Sequence, residues 1–282
     1  MSEFIEAVRA YPFMQRALLT GLLASVACGV VGSYVVVRRI TYVAGGIAHC
    51  VLGGLGAAVY LNKVHGWEWL EPLHGAVVAA LLAAVLIGLA AIRFRQREDT
   101  VISALWAIGM ATGVLFIWGT PGYREDLMSY LFGNITMVSG RDLWLIAGLD
   151  VLVLAVSLLF HKQLLAVCFD EEFARTRGVA VERYYLLLLC MTALTVVLLV
   201  TVVGIVMVIA LLTLPVATAG LFTKRLWQMM VASAVLSAAL VTGGLAVSYS
   251  PELPPGAVTI VIAGAVYLLA MLGHSLVRRI RR

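Results

Sequence analysis

Nine apolar stretches of 18 to 22 residues follow one another along the chain, and the polar residues lie mostly in the segments between them. Each stretch is long enough for a helix to cross a bilayer, where an open chain satisfies its backbone polar groups only as a helix. The pattern predicts an all-α polytopic membrane protein with about eight or nine transmembrane helices. The stretches are Leu18–Val37, Ala44–Leu61, Gly75–Ile92, Val101–Trp118, Leu143–Phe160, Tyr184–Val203, Gly204–Phe222, Leu226–Val247 and Ala257–Val277.

Only Gly204 separates the sixth stretch from the seventh, so one broken or re-entrant helix is the alternative there. The composition excludes a soluble protein, because 62% of the 282 residues are hydrophobic, 12% are charged and the mean hydropathy is +1.03. Soluble domains are about 45–50% apolar and about 25% charged. No polar segment is long enough to fold separately, so we expect a single transmembrane domain over residues 1–282. The four cysteines form no CxxC motif, and we expect no disulfide.

The basic residues predict the orientation in the membrane. Cytoplasmic loops of membrane proteins carry an excess of Lys and Arg. If the N-terminus is outside, 15 of the 20 Lys and Arg fall in inside segments, so we expect an outside N-terminus and a cytoplasmic C-terminus. Residues 161–183 then form a cytoplasmic loop. Residues 1–16 carry four charges and no continuous apolar core, so they predict an amphipathic interfacial segment and not a signal peptide.

Two ionisable residues inside the apolar stretches are candidate metal ligands. His49 lies in the glycine-rich segment GGIAHCVLGGLG, and Asp150 lies eight residues into the fifth stretch. A polar group at this depth is costly unless it faces a cavity, a partner or a cation. An imidazole nitrogen and a carboxylate oxygen both suit zinc or manganese. The alternatives are a hydrogen-bonded structural histidine and glycines that serve helix packing alone.

Two polar segments on the predicted inside are candidates for contact with a cytoplasmic partner. The segment FDEEFARTRGVAVER, residues 169–183, combines a charge run with helix-forming residues and a glycine at position 178. The second segment is the turn Thr223, Lys224 and Arg225. Solvated charged surface is the alternative for both. On the predicted outside, four residues could attract cations, although a solvated loop is the favoured interpretation: His65, Glu68, Glu71 and His74.

The sequence contains no GxxxxGK[ST] phosphate loop and no HExxH or GxSxG motif. The chain therefore does not bind ATP by a phosphate loop, and the zinc-protease and serine-hydrolase classes lose support. Energy for pumping has to come from a gradient or from another polypeptide. We do not expect an enzyme, and an intramembrane enzyme or a structural scaffold are the alternatives from other classes.

Six segments occur in an order that is typical of one family. They are FMQRALLTGLLASVACGVVGSYVVVRR at 13–39, GGIAHCVLGGLG at 45–56, DLMSYLFGNI at 126–135, FDEEFARTRGV at 169–179, VGIVMVIALLTLPVATAGL at 203–221 and ELPPGAVTIVIAGAVYLL at 252–269. The chain resembles the membrane permeases of bacterial and archaeal ATP-binding cassette importers for zinc, manganese or iron. A more distant similarity, at 204–215 and at the ELPPG turn, is to permeases for chelates such as vitamin B12 and siderophores. Permeation of an organic metal chelate is therefore the alternative function.

The resemblance implies partners and coupling residues. It implies a homodimer of this chain in the cell membrane, a separate cytoplasmic ATPase and an extracytoplasmic binding protein that delivers the metal. It implies no tightly bound cofactor, only the transported divalent ion. Cytoplasmic helices of such permeases dock on the ATPase, so the coupling candidates are Phe169, Asp170, Glu171, Glu172, Phe173, Ala174, Gly178, Thr223, Lys224 and Arg225.

The chain departs from the family pattern at one position of the second stretch. Many relatives carry an Asp four residues before the histidine, one helical turn away and on the same face. Gly45 occupies that position here, so only His49 carries over from the family as a metal contact. We hypothesise that Asp150 supplies the missing carboxylate. The ligand types do not distinguish zinc, manganese and iron, because their preferences overlap.

Overall fold

The computed structural model describes residues 2–94, 97–121, 131, 133, 138–251 and 253–280. Within these residues, twelve α-helices have described bounds. They are α1 (Ser2–Ala10), α2 (Pro12–Val37), α3 (Thr41–His65), α4 (Pro72–Ile92), α5 (Glu98–Trp118), α6 (Gly140–Leu159), α7 (His161–Phe169), α8 (Glu171–Thr176), α9 (Val181–Val203), α10 (Ile205–Phe222), α11 (Leu226–Tyr249) and α12 (Pro255–Ile280). The segment DLMSYLFGNI lies almost entirely outside the described residues.

Nine of the described helices, α2 to α6 and α9 to α12, are long and apolar enough to cross a membrane. This confirms the predicted all-α fold and the nine predicted stretches. The division at Gly204 is also confirmed, because α9 ends at Val203 and α10 begins at Ile205. Gly204 has φ 85° and ψ 159°, a backbone conformation that is essentially restricted to glycine. Two spans therefore meet at a sharp glycine turn.

Helix α2 occupies the centre of the bundle. It packs against α6, α9, α10 and α11, while α3 packs mainly against α4 and α5. Helices α2, α3 and α9 are the most buried spans, and α5 and α12 are the least buried. The apolar outer surfaces of α5 and α12 are therefore the most available to lipid or to another chain.

Glycines let the helices around α3 approach closely. A Cβ added to Gly53 would lie 2.9 Å from the carbonyl oxygen of Gly109, and one added to Gly56 would lie 2.8 Å from that of Gly113. Such close backbone contact is how small residues drive helix association within lipid. Gly53 and Gly56 therefore serve close helix packing. The four cysteines are free, as expected.

The alternation of the spans defines two faces of the molecule. The C-terminal ends of α2, α4, α6, α10 and α12 share one face, which we call the basic face. Its residues include Arg38, Arg93, Arg175, Lys224 and Arg279. Side-chain contacts agree with this assignment. An ion pair joins Arg38 to Glu171 on the basic face, and Arg141 lies 3.1 Å from Glu71 on the opposite face.

The N-terminal helix is shorter than the predicted amphipathic segment 1–16. Helix α1 ends at Ala10, and α2 begins at Pro12, so residues 12–16 belong to the first span. Proline is well tolerated in the first turn of a helix, because its missing N–H has no partner there. Phe4 and Ala7 are buried, and the Phe4 ring lies 6.2 Å from the Tyr249 ring. Helix α1 therefore packs on the protein through one face.

Candidate functional site

His49 is a buried histidine with one ring nitrogen that no described residue hydrogen-bonds. It lies in α3, and only 9% of the residue is exposed. Its ring stacks on the Trp106 ring of α5, with centroids 4.2 Å apart and planes 17° from parallel. Its Nδ1 atom has no hydrogen-bond partner among the described residues. The hydrogen-bonded structural alternative therefore lacks support at Nδ1, the atom that a metal or another ligand could use.

The Trp106 indole also fills the space beside Gly45. A Cβ at Gly45 would lie 3.2 Å from Cζ3 of Trp106 and 3.8 Å from Cδ1 of Ile209. A longer side chain at this position would have to displace the indole. The Tyr42 ring lies 5.6 Å from Trp106, and its hydroxyl is 3.2 Å from Ser103. The position of the missing family carboxylate is thus closed by an aromatic side chain.

Asp150 is equally buried, in a different part of the bundle. It lies in α6 with 5% of the residue exposed, and no described side chain hydrogen-bonds its carboxylate. It faces α2 near the backbone of Ala27 and near Cys28. Helix α6 packs mainly on α2, and α3 mainly on α4 and α5. The structure therefore places Asp150 and His49 at separate interfaces of the chain.

No group of three or more His, Cys, Asp or Glu side chains within the described part of the chain could hold a metal ion. On the opposite face, two of the four loop residues that could attract cations have structural roles. Glu71 and His74 form a capping box at the start of α4, and Glu71 also pairs with Arg141.

The first predicted coupling segment forms a short exposed helix, α8, on the basic face. The Asp170 carboxylate accepts a 2.9 Å hydrogen bond from the Phe173 backbone N–H and so caps the helix at its N-terminus. Gly178, at φ 76°, ends it in the left-handed conformation that favours glycine. Phe169 is 67% exposed and Phe173 is 53% exposed. Two exposed phenylalanines beside a charged helix are a surface on which a partner protein can bind.

Of the other predicted residues in this segment, Ala174 is buried, Glu172 is exposed and Glu171 is half-buried. The second segment, Thr223 to Arg225, is the turn between α10 and α11. Its threonine hydroxyl donates a 2.9 Å hydrogen bond to the Ala219 carbonyl, while Lys224 and Arg225 are exposed. Both predicted segments therefore lie on the same face.

Two residues with extensive contacts were not among the predicted site residues. Arg38 was counted only as a topology signal, yet its guanidinium contacts Val167, Glu171 and Tyr185. Trp106 was one apolar residue among many, yet it covers His49. An arginine directly after an apolar stretch was the available signal for the first. The sequence contains no signal for the second, because the packing of α5 on α3 is a tertiary relation.

Buried membrane-spanning helices and exposed polar segments on one face define a polytopic membrane protein. The family model described as ABC 3 transport family matches residues 10–274. The chain therefore belongs to the ABC 3 transport family.

Relatives support the family over nearly the full length. An uncharacterized membrane protein of Synechocystis sp. is 41% identical over 271 residues, which cover 96% of this chain and 94% of the relative. The manganese transport system membrane protein MntC of Halalkalibacterium halodurans is 33% identical, over 95% of this chain and 89% of the relative.

Solved structures show the same fold. PsaBC from Streptococcus pneumoniae in complex with Fab includes a chain that is 30% identical, with a TM-score of 0.82 and coverage of 95% of this chain and 94% of that one. An inward-facing metal-chelate type ABC transporter matches with a TM-score of 0.72 at 17% identity, over 95% of this chain and 88% of that one. The second match concerns the fold alone.

Proposed function

We propose that this chain is the membrane permease subunit of an ATP-binding cassette importer that moves divalent metal ions, zinc, manganese or iron, into the cytoplasm. The observation that carries the proposal is membership of the ABC 3 transport family over residues 10–274. Relatives that are named as manganese transport or import proteins, at 33% identity over 95% of this chain, support the metal as cargo.

The proposed assembly is a homodimer of this chain in the cell membrane with a separate ATPase and an extracytoplasmic binding protein. The absence of a phosphate loop from the sequence supports a separate ATPase chain. The basic face supports a cytoplasmic docking surface, because positively charged loops are retained inside. Phe169, Phe173 and the Thr223 to Arg225 turn would contact the ATPase there.

His49 is the proposed metal contact within the membrane. The support is its burial together with the unpartnered Nδ1 atom. A neutral imidazole binds zinc, manganese and iron without adding a charge to the site. Asp150 is the second proposed contact. Because it faces α2 and not α3, it would meet the ion at a different point of the route.

Uptake by vesicles that contain the permease, its ATPase and its binding protein tests the cargo. We expect ATP-dependent uptake of radioactive manganese that excess free manganese, zinc or iron reduces, and that a siderophore or cobalamin at the same concentration leaves unchanged. No ATP-dependent uptake of free manganese, together with uptake of a radioactive metal chelate, would contradict the proposal and favour a chelate permease.

A further inference from the structure

Arg38 connects four helices at the basic face. It follows directly after α2, and 14% of its side chain is exposed. Its Nη1 atom donates a 2.9 Å hydrogen bond to the Val167 carbonyl, and its Nη2 atom pairs with the Glu171 carboxylate. Its guanidinium carbon lies 4.7 Å from the centroid of the Tyr185 ring. One side chain from α2 therefore contacts α7, α8 and α9.

Each contact uses a different property of the guanidinium group. The Val167 carbonyl is among the last carbonyls of α7, which lack partners within the helix, so Arg38 caps that end. Glu171 lies in the first turn of α8, and its charge is matched by Arg38. Tyr185 offers the flat face on which a guanidinium stacks. Lysine could provide the charge but not the planar fork, so this junction is specific for arginine.

The junction is close in the chain to the helix that carries His49. Only Arg39 and Ile40 separate Arg38 from α3, and Arg39 has φ 64°, which turns the chain sharply. His49 lies eight residues after Thr41, which is ~12 Å along the helix axis. The same turn is held by a 3.0 Å hydrogen bond from the Ile40 N–H to the Val35 carbonyl. A displacement of α8 that moves Arg38 through this ion pair therefore has a short path along the chain to His49.

We propose that Arg38 is a positioning residue that transmits movement of the α7–α8 segment to the corner between α2 and α3, and so couples the ATPase to the metal route. This inference rests on the proposed function. Arg175 and Glu182, 3.1 Å apart, hold the other end of α8 to α9. The Arg175 side chain is 57% exposed, so solvent screens this pair. The Arg38 side chain is only 14% exposed, so its ion pair with Glu171 is better shielded.

The number of metal ions imported per ATP hydrolysed tests this role in vesicles that contain the complete importer. For Arg38→Ala we expect the ratio to fall ~5-fold, the lower end of typical coupling effects. Arg38→Lys should give an intermediate ratio, and so should Glu171→Gln, which keeps the contacts to Val167 and Tyr185. Arg93→Gln is the matched control, because it removes an exposed charge of the same basic face at the end of α4, away from the corner between α2 and α3. It should leave the ratio unchanged.

A purely structural role would lower import and ATP hydrolysis together, through less assembled protein, and would leave the ratio as it is. An unchanged ratio in Arg38→Ala would therefore overturn the inference. If Arg38→Ala does not assemble, an unchanged ratio in Glu171→Gln overturns it equally. Failure of the wild-type complex to import metal would instead overturn the proposed function and this inference with it.

Discussion

The imidazole of His49 combines burial with a ring nitrogen that no described residue hydrogen-bonds. Its position inside an apolar stretch was enough to predict a functional candidate, because an ionisable group at that depth is costly unless it has a partner or a ligand. The stacking of the Trp106 indole on this imidazole could not be predicted. A stack between α3 and α5 depends on how two helices rotate against each other, and both faces are apolar in the sequence.

His49→Gln should lower metal uptake by about tenfold, the size of effect seen when support for a metal contact is lost. Glutamine stays polar and of similar length, so the packing against Trp106 suffers less than with alanine. Uptake per permease molecule, measured with membrane levels determined in parallel, checks this. His65→Gln, at an exposed histidine of the opposite face, is the control and should behave as wild type. Normal uptake by His49→Gln would remove His49 from the route.

We expect Asp150→Asn also to lower metal uptake, because it removes the charge of the second proposed metal contact. The substitution keeps the shape of the side chain and removes the charge. Asp99→Asn, at a solvated position in the first turn of α5, is the matched control for the same assay. Undiminished uptake would show that Asp150 only fills the interface between α6 and α2.

At the scale of the elements, the boundary between α9 and α10 depends on one glycine. The apolar run from 184 to 222 offered no polar residue to separate two spans, and Gly204 was the only available marker. The structure shows why it suffices, since φ 85° with ψ 159° is closed to residues with a Cβ. The other span ends were predicted within six residues, because the apolar runs end where polar or charged residues begin.

Gly204→Ala should destabilise the protein by ~1–3 kcal/mol, the cost of a non-glycine residue in such a backbone conformation. Thermal unfolding of the purified protein in detergent measures the effect. Gly243→Ala is the matched control within α11, where an added Cβ meets nothing within 4 Å. It should be neutral or slightly stabilising, because alanine is the better helix former. Equal unfolding temperatures for the two variants would contradict the strained turn.

At the scale of the whole molecule, the number of spans and the gathering of basic residues on one face followed from the sequence alone. The central position of α2 did not, because neighbours in the bundle are chosen by close packing of small residues on several helices at once. The separation of His49 from Asp150 could not be predicted for the same reason. Sequence spacing locates a residue along its own helix, but the partner helix is a property of the assembled fold.

Cysteine labelling tests the predicted orientation. Glu68→Cys and Lys224→Cys replace exposed residues on opposite faces. In intact cells, a membrane-impermeant maleimide should label Glu68→Cys. It should label Lys224→Cys only after the membrane is permeabilised. The native thiols provide a low background; burial, for example, raises the pKa of Cys168 to about 12, which leaves little reactive thiolate. The reverse labelling pattern would place the basic face outside and contradict the proposed ATPase docking surface.

The most direct test of the central claim is metal accumulation in sealed vesicles, with and without the partner ATPase. The claim is that this chain provides a route and that ATP hydrolysis on another chain drives the ion through it. We expect accumulation against a gradient only when the permease, the ATPase, the loaded binding protein and ATP are all present. Accumulation by the permease alone, with neither ATPase nor ATP, would contradict the claim.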